Sequence, residues 1–163
     1  MKTLLRVAEL ISSCWMLTQG GRPRPTTGRG FDPALKRSRN GKTRVLLVDD
    51  HPMVRQTLRD LIAREGDIAV CGEAEDRDGA LAAVADSKPD LAIVDLRLRD
   101  SDGLELIRDL HQRHPETLTL VLSMYDGSVY AEQAMLAGAS GYLSKSDATT
   151  NLMSTVRRVL CAG

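Results

Sequence analysis

The 163-residue chain has no net charge at neutral pH, is 42% hydrophobic and contains only 3% aromatic residues. A chain of this length forms one domain of ordinary size, and its three widely spaced cysteines argue against both a disulfide framework and a thiolate zinc site. The zero net charge conceals two parts: residues 1–42 carry nine basic and two acidic residues, and residues 43–163 carry 13 basic and 20 acidic residues. We therefore expect a cytoplasmic protein with reduced thiols and a separate basic extension.

Residues 1–42 form the predicted extension. Apolar residues at helical spacing within Leu4–Trp15 favour a short amphipathic helix, but Arg6 and Glu9 interrupt it as a secretory signal. No run approaches the roughly 20 apolar residues of a membrane span, so we expect no membrane partner. Thr18–Lys42 is rich in Gly, Pro, Arg and Thr and is predicted to be disordered. Its basic residues suit nucleic acid or anionic lipid, although a solvated tail or a start codon upstream of the natural one explains them more simply.

From residue 43 onward, two patterns alternate along the chain. Short apolar runs predict buried strands that begin near Val45, Ile68, Leu91, Leu118 and Gly141. Apolar residues at helical spacing predict helices around Val54–Ile62, Leu81–Ala85, Leu104–Leu110, Tyr130–Ala137 and Leu152–Leu160. Five βα units in strict alternation predict an α/β domain over residues 43–163, with a doubly wound, five-stranded parallel sheet and helices on both faces.

Polar residues follow four of the predicted strands, at the point where each strand ends. They are Asp49 and Asp50 after the first strand, Asp95 after the third, Ser123 after the fourth and Lys145 after the fifth. Because the carboxyl ends of parallel strands lie along one edge of a doubly wound sheet, we expect these side chains to meet there. Three crowded carboxylates repel one another unless a cation sits among them, and Mg²⁺ is the natural one because it prefers oxygen ligands.

This predicted edge is suited to phosphoryl transfer. Mg²⁺ neutralises the phosphate oxygens of a donor while a carboxylate attacks phosphorus to form an acyl phosphate. Lys145 can pair with one phosphoryl oxygen, and Ser123 can donate a hydrogen bond to another.

Three segments carry a family resemblance. They are Val-Asp-Asp-His-Pro-Met-Val-Arg at 48–55, the loop from Asp95 to Gly103, and Ala-Gly-Ala-Ser-Gly-Tyr-Leu-Ser-Lys at 137–145. With them, residues 44–161 resemble the receiver domain of bacterial two-component response regulators. The similarity is greatest to receivers that precede LuxR-type DNA-binding domains. The resemblance implies a flavodoxin-like sheet with strand order 2-1-3-4-5.

The resemblance also implies roles for individual residues. Asp95 would be the phosphoacceptor and Lys145 the phosphate-pairing cation, while Ser123 and Tyr142 would be the switch residues. The Mg²⁺ ligands would be Asp49, Asp50, Asp95 and the backbone carbonyl of Arg97. Phosphorylation would then change the surface formed by residues 127–161.

The function that this resemblance implies is signalling rather than multi-turnover catalysis. A sensor histidine kinase would supply the phosphoryl group, and slow autodephosphorylation would remove it. We expect a homodimer through the 127–161 surface or through the first and fifth helices. Transcription regulation would require a DNA-binding domain, which makes a truncated or incomplete regulator an alternative interpretation. We also hypothesise that Met124, Arg97 and Tyr125 hinder water and lengthen the life of the phosphoryl group.

The rival from another class is a Mg²⁺-dependent phosphohydrolase, which also uses an aspartate nucleophile after a parallel strand. That chemistry usually requires a second acid two residues beyond the nucleophile, and Arg97 occupies this position. Steady multi-turnover phosphatase activity would favour the hydrolase, and a single stoichiometric phosphorylation would favour the receiver.

Overall fold

The computed structural model describes residues 41–99, 101–125 and 128–162. The predicted extension, residues 1–42, lies outside the described residues except for its last two positions, so its helix and its disorder stay predictions. The described elements, in chain order, are β1 (Thr43–Val48), α1 (Pro52–Ala63), β2 (Ile68–Ala74), α2 (Arg77–Ser87), β3 (Leu91–Asp95), β4 (Arg97–Leu98), β5 (Ser101–Asp102), α3 (Gly103–Arg113), β6 (Leu118–Ser123), α4 (Ser128–Leu136), β7 (Gly141–Ser144) and α5 (Lys145–Ala162).

The main sheet has five parallel strands in the order β2-β1-β3-β6-β7. When the two short strands β4 and β5 are left out of the count, this is the predicted order 2-1-3-4-5, and the predicted fold class is confirmed. The register aligns the carboxyl ends of the strands: Val48 pairs with Val94, and Ser123 pairs with Ser144. The residues that follow these positions therefore lie along one edge.

Alternate residues of each strand point to opposite faces of the sheet, and a separate core covers each face. On one face, Val45, Leu47 and Ile93 pack against apolar residues of α1 and α5. On the other face, Leu46 and Val94 belong to the core that contains residues of α2, α3 and α4. Leu, Ile and Val, joined by several alanines on the second face, make up the two cores, which explains how a chain with so few aromatic residues buries its sheet. Within the described part of the chain, no helix combines the length and the apolarity needed to cross a bilayer.

A short hairpin between β3 and α3 was not predicted. Arg97 pairs with Asp102, and Leu98 pairs with Ser101, in an antiparallel ladder of two residues on each side. The segment was predicted to be a loop, because strands of two residues are too short to show alternation. Leu98 is buried and belongs to the core between the sheet, α2 and α3, so the hairpin is anchored beside the end of β3.

Gly103 allows α3 to begin directly against the end of β3. A Cβ atom at this position would lie 2.4 Å from the carbonyl oxygen of Asp95 and 2.7 Å from the Cα of Leu96. The side chain of Asp102 caps the helix by accepting a hydrogen bond from the N–H of Leu104 at 2.9 Å. This close approach, which needs glycine, fixes the backbone around Asp95.

Candidate functional site

The predicted convergence of polar side chains occurs at the carboxyl edge of the sheet. Asp49 directly follows β1, and Asp95 is the last residue of β3. Ser123 ends β6, and Lys145 follows β7 as the first residue of α5. Asp49, Asp95 and Ser123 are at most 5% exposed, so the edge forms a pocket of buried polar groups.

Lys145 lies between two carboxylates in this pocket. Its Nζ atom donates to Asp49 Oδ2 at 2.6 Å and to Asp95 Oδ2 at 2.6 Å. Burial raises the pKa of Asp95 above its usual value, although the bonds from Lys145 and from the N–H of Arg97 oppose this shift. Burial alone would lower the pKa of Lys145, but its bonds to Asp49 and Asp95 outweigh that effect, and the pKa lies above its ordinary value. One ammonium therefore forms ion pairs with two carboxylates.

Asp50 contributes a carboxylate oxygen that lacks a donor. Its Oδ1 atom is buried and makes no hydrogen bond to any described residue. The imidazole Nδ1 of His51 approaches this oxygen to 2.7 Å but lacks the geometry of a hydrogen bond. By contrast, Asp49 Oδ1 accepts a hydrogen bond from the N–H of His51 at 2.9 Å. Since an unpaired buried carboxylate oxygen is unfavourable, this atom suits a cation.

Four side chains at this edge form a candidate metal site. Asp49, Asp50, His51 and Asp95 each offer one ligand atom, and these atoms lie within 4.8 Å of one another. Three carboxylates, one of them with a buried oxygen that accepts no hydrogen bond, fit a hard divalent cation such as Mg²⁺. His51, which adjoins the acidic pair, was not predicted as a ligand, and its imidazole is a poorer ligand for a hard cation. The N–H of Arg97 donates to Asp95 Oδ1 at 3.2 Å, and the role of the Arg97 carbonyl as a ligand stays a prediction.

Tyr125 links the two predicted switch residues at the rim of the site. Its N–H donates to Ser123 Oγ at 3.1 Å, and its carbonyl accepts a hydrogen bond from Tyr142 Oη at 2.6 Å. Its ring stacks on Tyr130 of α4, with 4.8 Å between the ring centroids. The guanidinium of Arg97 lies 5.4 Å from the Tyr125 ring centroid, which is cation–π distance. Tyr125 was not predicted to be part of the switch, because nothing in the local sequence pattern indicates these contacts.

Comparison with known proteins gives one consistent family. The response regulator receiver domain family matches residues 45–157. The chain is 44% identical over 102 residues to the DNA-binding transcriptional activator DevR/DosR of Mycobacterium tuberculosis, a match that covers 63% of this chain and 47% of that protein. It is 33% identical over 122 residues to the transcriptional regulatory protein DegU of Brevibacillus brevis, which covers 75% of this chain and 52% of that protein.

Solved structures agree with the sequence matches. The crystal structure of a LuxR-family two-component response regulator from Aurantimonas sp. SI85-9A1 superposes with a TM-score of 0.71 at 36% identity. The match covers 74% of this chain and 86% of that one. The present chain spans about half the length of the curated relatives that it matches.

Proposed function

The chain belongs to the family of response regulator receiver domains, and we propose that it accepts a phosphoryl group on Asp95 in a reaction that requires Mg²⁺. The observation that carries this proposal is the environment of Asp95: a buried carboxylate bonded to Lys145, beside an acidic pair in which one oxygen has no donor. An ion pair of Lys145 with Asp49 and Asp95 would not need the carboxylate of Asp50. A site that must bind a cation beside a phosphoryl group does need it.

The proposed reaction moves one phosphoryl group. A carboxylate oxygen of Asp95 attacks phosphorus in a phosphohistidine, the Oδ–P bond forms, the P–N bond breaks, and the imidazole leaves with the bonding electrons. With acetyl phosphate as donor, acetate leaves instead. Bound Mg²⁺, held by Asp49, Asp50 and Asp95, would supply the positive charge that neutralises the phosphoryl oxygens. Lys145 turns from the Asp95 carboxylate to a phosphoryl oxygen, which keeps its charge paired throughout.

Phosphorylation would then alter the rim of the site. The new group adds about 1.5 to 2 negative charges at one point. Ser123 would move to donate a hydrogen bond to a phosphoryl oxygen. This movement would break the hydrogen bond that Ser123 Oγ accepts from the N–H of Tyr125 in the unphosphorylated protein. Because Tyr142 is bonded to the carbonyl of the same tyrosine, both switch residues respond together. Tyr130, which stacks on Tyr125, would transmit the change to α4. This helix belongs to the surface formed by residues 127–161, which is expected to change on phosphorylation.

The partners follow from this chemistry. We propose a sensor histidine kinase as the phosphoryl donor and a cytoplasmic location for the reaction. If a DNA-binding domain is linked to the receiver, the output would be transcription regulation, the role that the name of the relative DevR/DosR, a DNA-binding transcriptional activator, gives to that protein. We also propose a homodimer, which light scattering with and without beryllofluoride tests directly: an unchanged mass would remove the dimer from the proposal.

Intact-mass spectrometry after incubation with acetyl phosphate and Mg²⁺ tests the proposed function. The parent chain should gain one phosphoryl group, and it should gain none in EDTA. Asp95→Asn should remain unlabelled, whereas Asp60→Asn, a control at an exposed position of α1, should be labelled like the parent. Equal labelling of Asp95→Asn would disprove the assignment, and continuous phosphate release over many turnovers would favour a hydrolase instead.

A further inference from the structure

Arg55 is a buried cation to which the proposed phosphoryl transfer gives no role. It lies near the N-terminal end of α1 and is 9% exposed. The helix dipole disfavours a positive charge near this end, and burial of an arginine is unfavourable unless its donors are paired. In the sequence, Arg55 is the last residue of the segment 48–55 that carries the family resemblance, and no role was predicted for it.

The guanidinium of Arg55 joins β2 to the acidic pair. Nη1 donates to the backbone carbonyl of Asp49 at 2.6 Å. Nε donates to Glu73 Oε2 at 3.1 Å, and Nη2 donates to Glu75 Oε1 at 2.6 Å. Because the guanidinium is planar and rigid, two of its donors fixed on glutamates also fix the direction of the third.

With this contact, each polar atom of Asp49 has a partner. Its N–H donates to the carbonyl of Ala74 at 3.1 Å, and its two carboxylate oxygens accept from His51 and Lys145. Arg55 holds the remaining atom, the carbonyl oxygen. That carbonyl belongs to the planar peptide group that joins Asp49 to Asp50. Fixing the carbonyl therefore also fixes the orientation of this peptide plane, and with it the direction of the chain into Asp50.

We propose that Arg55 is a positioning residue that holds the Asp49–Asp50 peptide plane, so that Asp50 Oδ1 stays aimed into the cation site. Arg55 itself touches neither the cation nor the phosphoryl group. The proposal rests on the proposed function, because it assumes that Asp50 receives Mg²⁺.

The sign of the effect on Mg²⁺ affinity separates positioning from simple electrostatics. A positive charge beside a cation site repels the cation, so removing Arg55 would tighten Mg²⁺ binding if charge were its only effect. Loss of positioning has the opposite sign and should weaken binding. Outer partners of metal ligands typically contribute about 10- to 100-fold to metal affinity, which exceeds the electrostatic gain expected beside a solvated edge.

Isothermal titration of the metal-free chain with MgCl₂ tests this proposal. Arg55→Gln should weaken Mg²⁺ binding by about tenfold or more. Arg55→Lys keeps the charge but cannot hold both glutamates and the carbonyl, so it should weaken binding by about threefold or more. The matched control is Arg59→Gln, one turn further along α1: Arg59 pairs with Glu73 at 3.2 Å, and its removal leaves the Asp49 carbonyl bonded. Its affinity should equal or slightly exceed that of the parent.

The outcomes are distinguishable from failure of the proposed function. If the parent binds no Mg²⁺ and is not labelled by acetyl phosphate, the proposed function fails and this inference fails with it. If the parent does both and Arg55→Gln binds Mg²⁺ as tightly as the parent or more tightly, only the positioning role is overturned. Should Arg55→Gln lose its circular dichroism signal, Arg55→Lys decides: parental affinity in that variant also overturns the role.

Discussion

Replacing Lys145 with methionine should destabilise the metal-free protein. The ammonium bonds both Asp49 and Asp95 at 2.6 Å, and the two carboxylates are 2% and 6% exposed. Methionine fills a similar volume but leaves two buried carboxylates without a cation between them. The change therefore isolates the charge at the centre of the pocket.

The size of the loss follows from burial. Removing one partner of a buried ion pair costs about 3 to 5 kcal/mol, and the lower end applies here because the Lys145 side chain is 10% exposed. We expect a loss of about 3 kcal/mol near neutral pH, or roughly 10 °C in Tm for a domain of this size. Burial already raises the pKa of Asp95 above its usual value, and without the opposing bonds from Lys145 that pKa in the folded state rises further above the unfolded value. The penalty is thus largest above the folded pKa and shrinks as the pH falls towards about 4.

Urea unfolding followed by circular dichroism measures this loss in EDTA. Lys42→Met, at an exposed position before β1, is the matched control and should change the free energy of unfolding by less than about 0.5 kcal/mol. Saturating Mg²⁺ should restore part of the stability of Lys145→Met, since the ion binds only the folded site. The reasoning is refuted if Lys145→Met matches the parent in EDTA at neutral pH, or if its deficit is the same at acid pH.

Three further changes test other parts of the site. Gly103→Ala places a Cβ atom 2.4 Å from the carbonyl oxygen of Asp95, so it should lower the free energy of unfolding in urea by about 2 kcal/mol or more. Parental stability would contradict the close approach. Tyr142→Phe removes the exposed hydrogen bond to the Tyr125 carbonyl, so it should lower the free energy of unfolding by less than about 1 kcal/mol. It should, however, reduce the change in α4 hydrogen exchange that beryllofluoride induces, and an unaltered change would exclude the tyrosine from the switch. Met124→Ala, at a residue 74% exposed beside Ser123, should speed dephosphorylation relative to Met135→Ala; an equal or slower rate would count against shielding.

The sheet could be predicted because the local residue pattern of each strand agrees with the buried position that the strand takes in the fold. Each parallel strand is covered on both faces and therefore appears as a short apolar run, such as Leu91–Val94 in β3. The helix predicted around Tyr130–Ala137 has the weakest apolar pattern, and the structure explains why: within α4 only Ala134 is buried. A helix with so little buried surface shows weak periodicity, although the alternation of elements still requires it.

The candidate site was predictable only where topology alone determines position. Asp95 and Lys145 meet because the ends of parallel strands share an edge, whatever the loops between them do. The contact of Arg55 with the Asp49 carbonyl depends on the rotamer of a long side chain and on the register of Glu73 in β2, neither of which has a sequence signature. The hairpin before Gly103 likewise depends on packing of a single buried leucine.

The charge balance of the site explains why it should bind a cation rather than remain a stable ion pair. Lys145 bonds only two of the three carboxylates, Asp49 and Asp95, and burial raises the pKa of Asp95 in spite of that ammonium. Arg55 lies nearby but leaves this excess in place, because its own charge is committed to Glu73 and Glu75. An excess of negative charge therefore stays at the carboxyl edge, and a cation that binds there would stabilise the folded state by its own affinity.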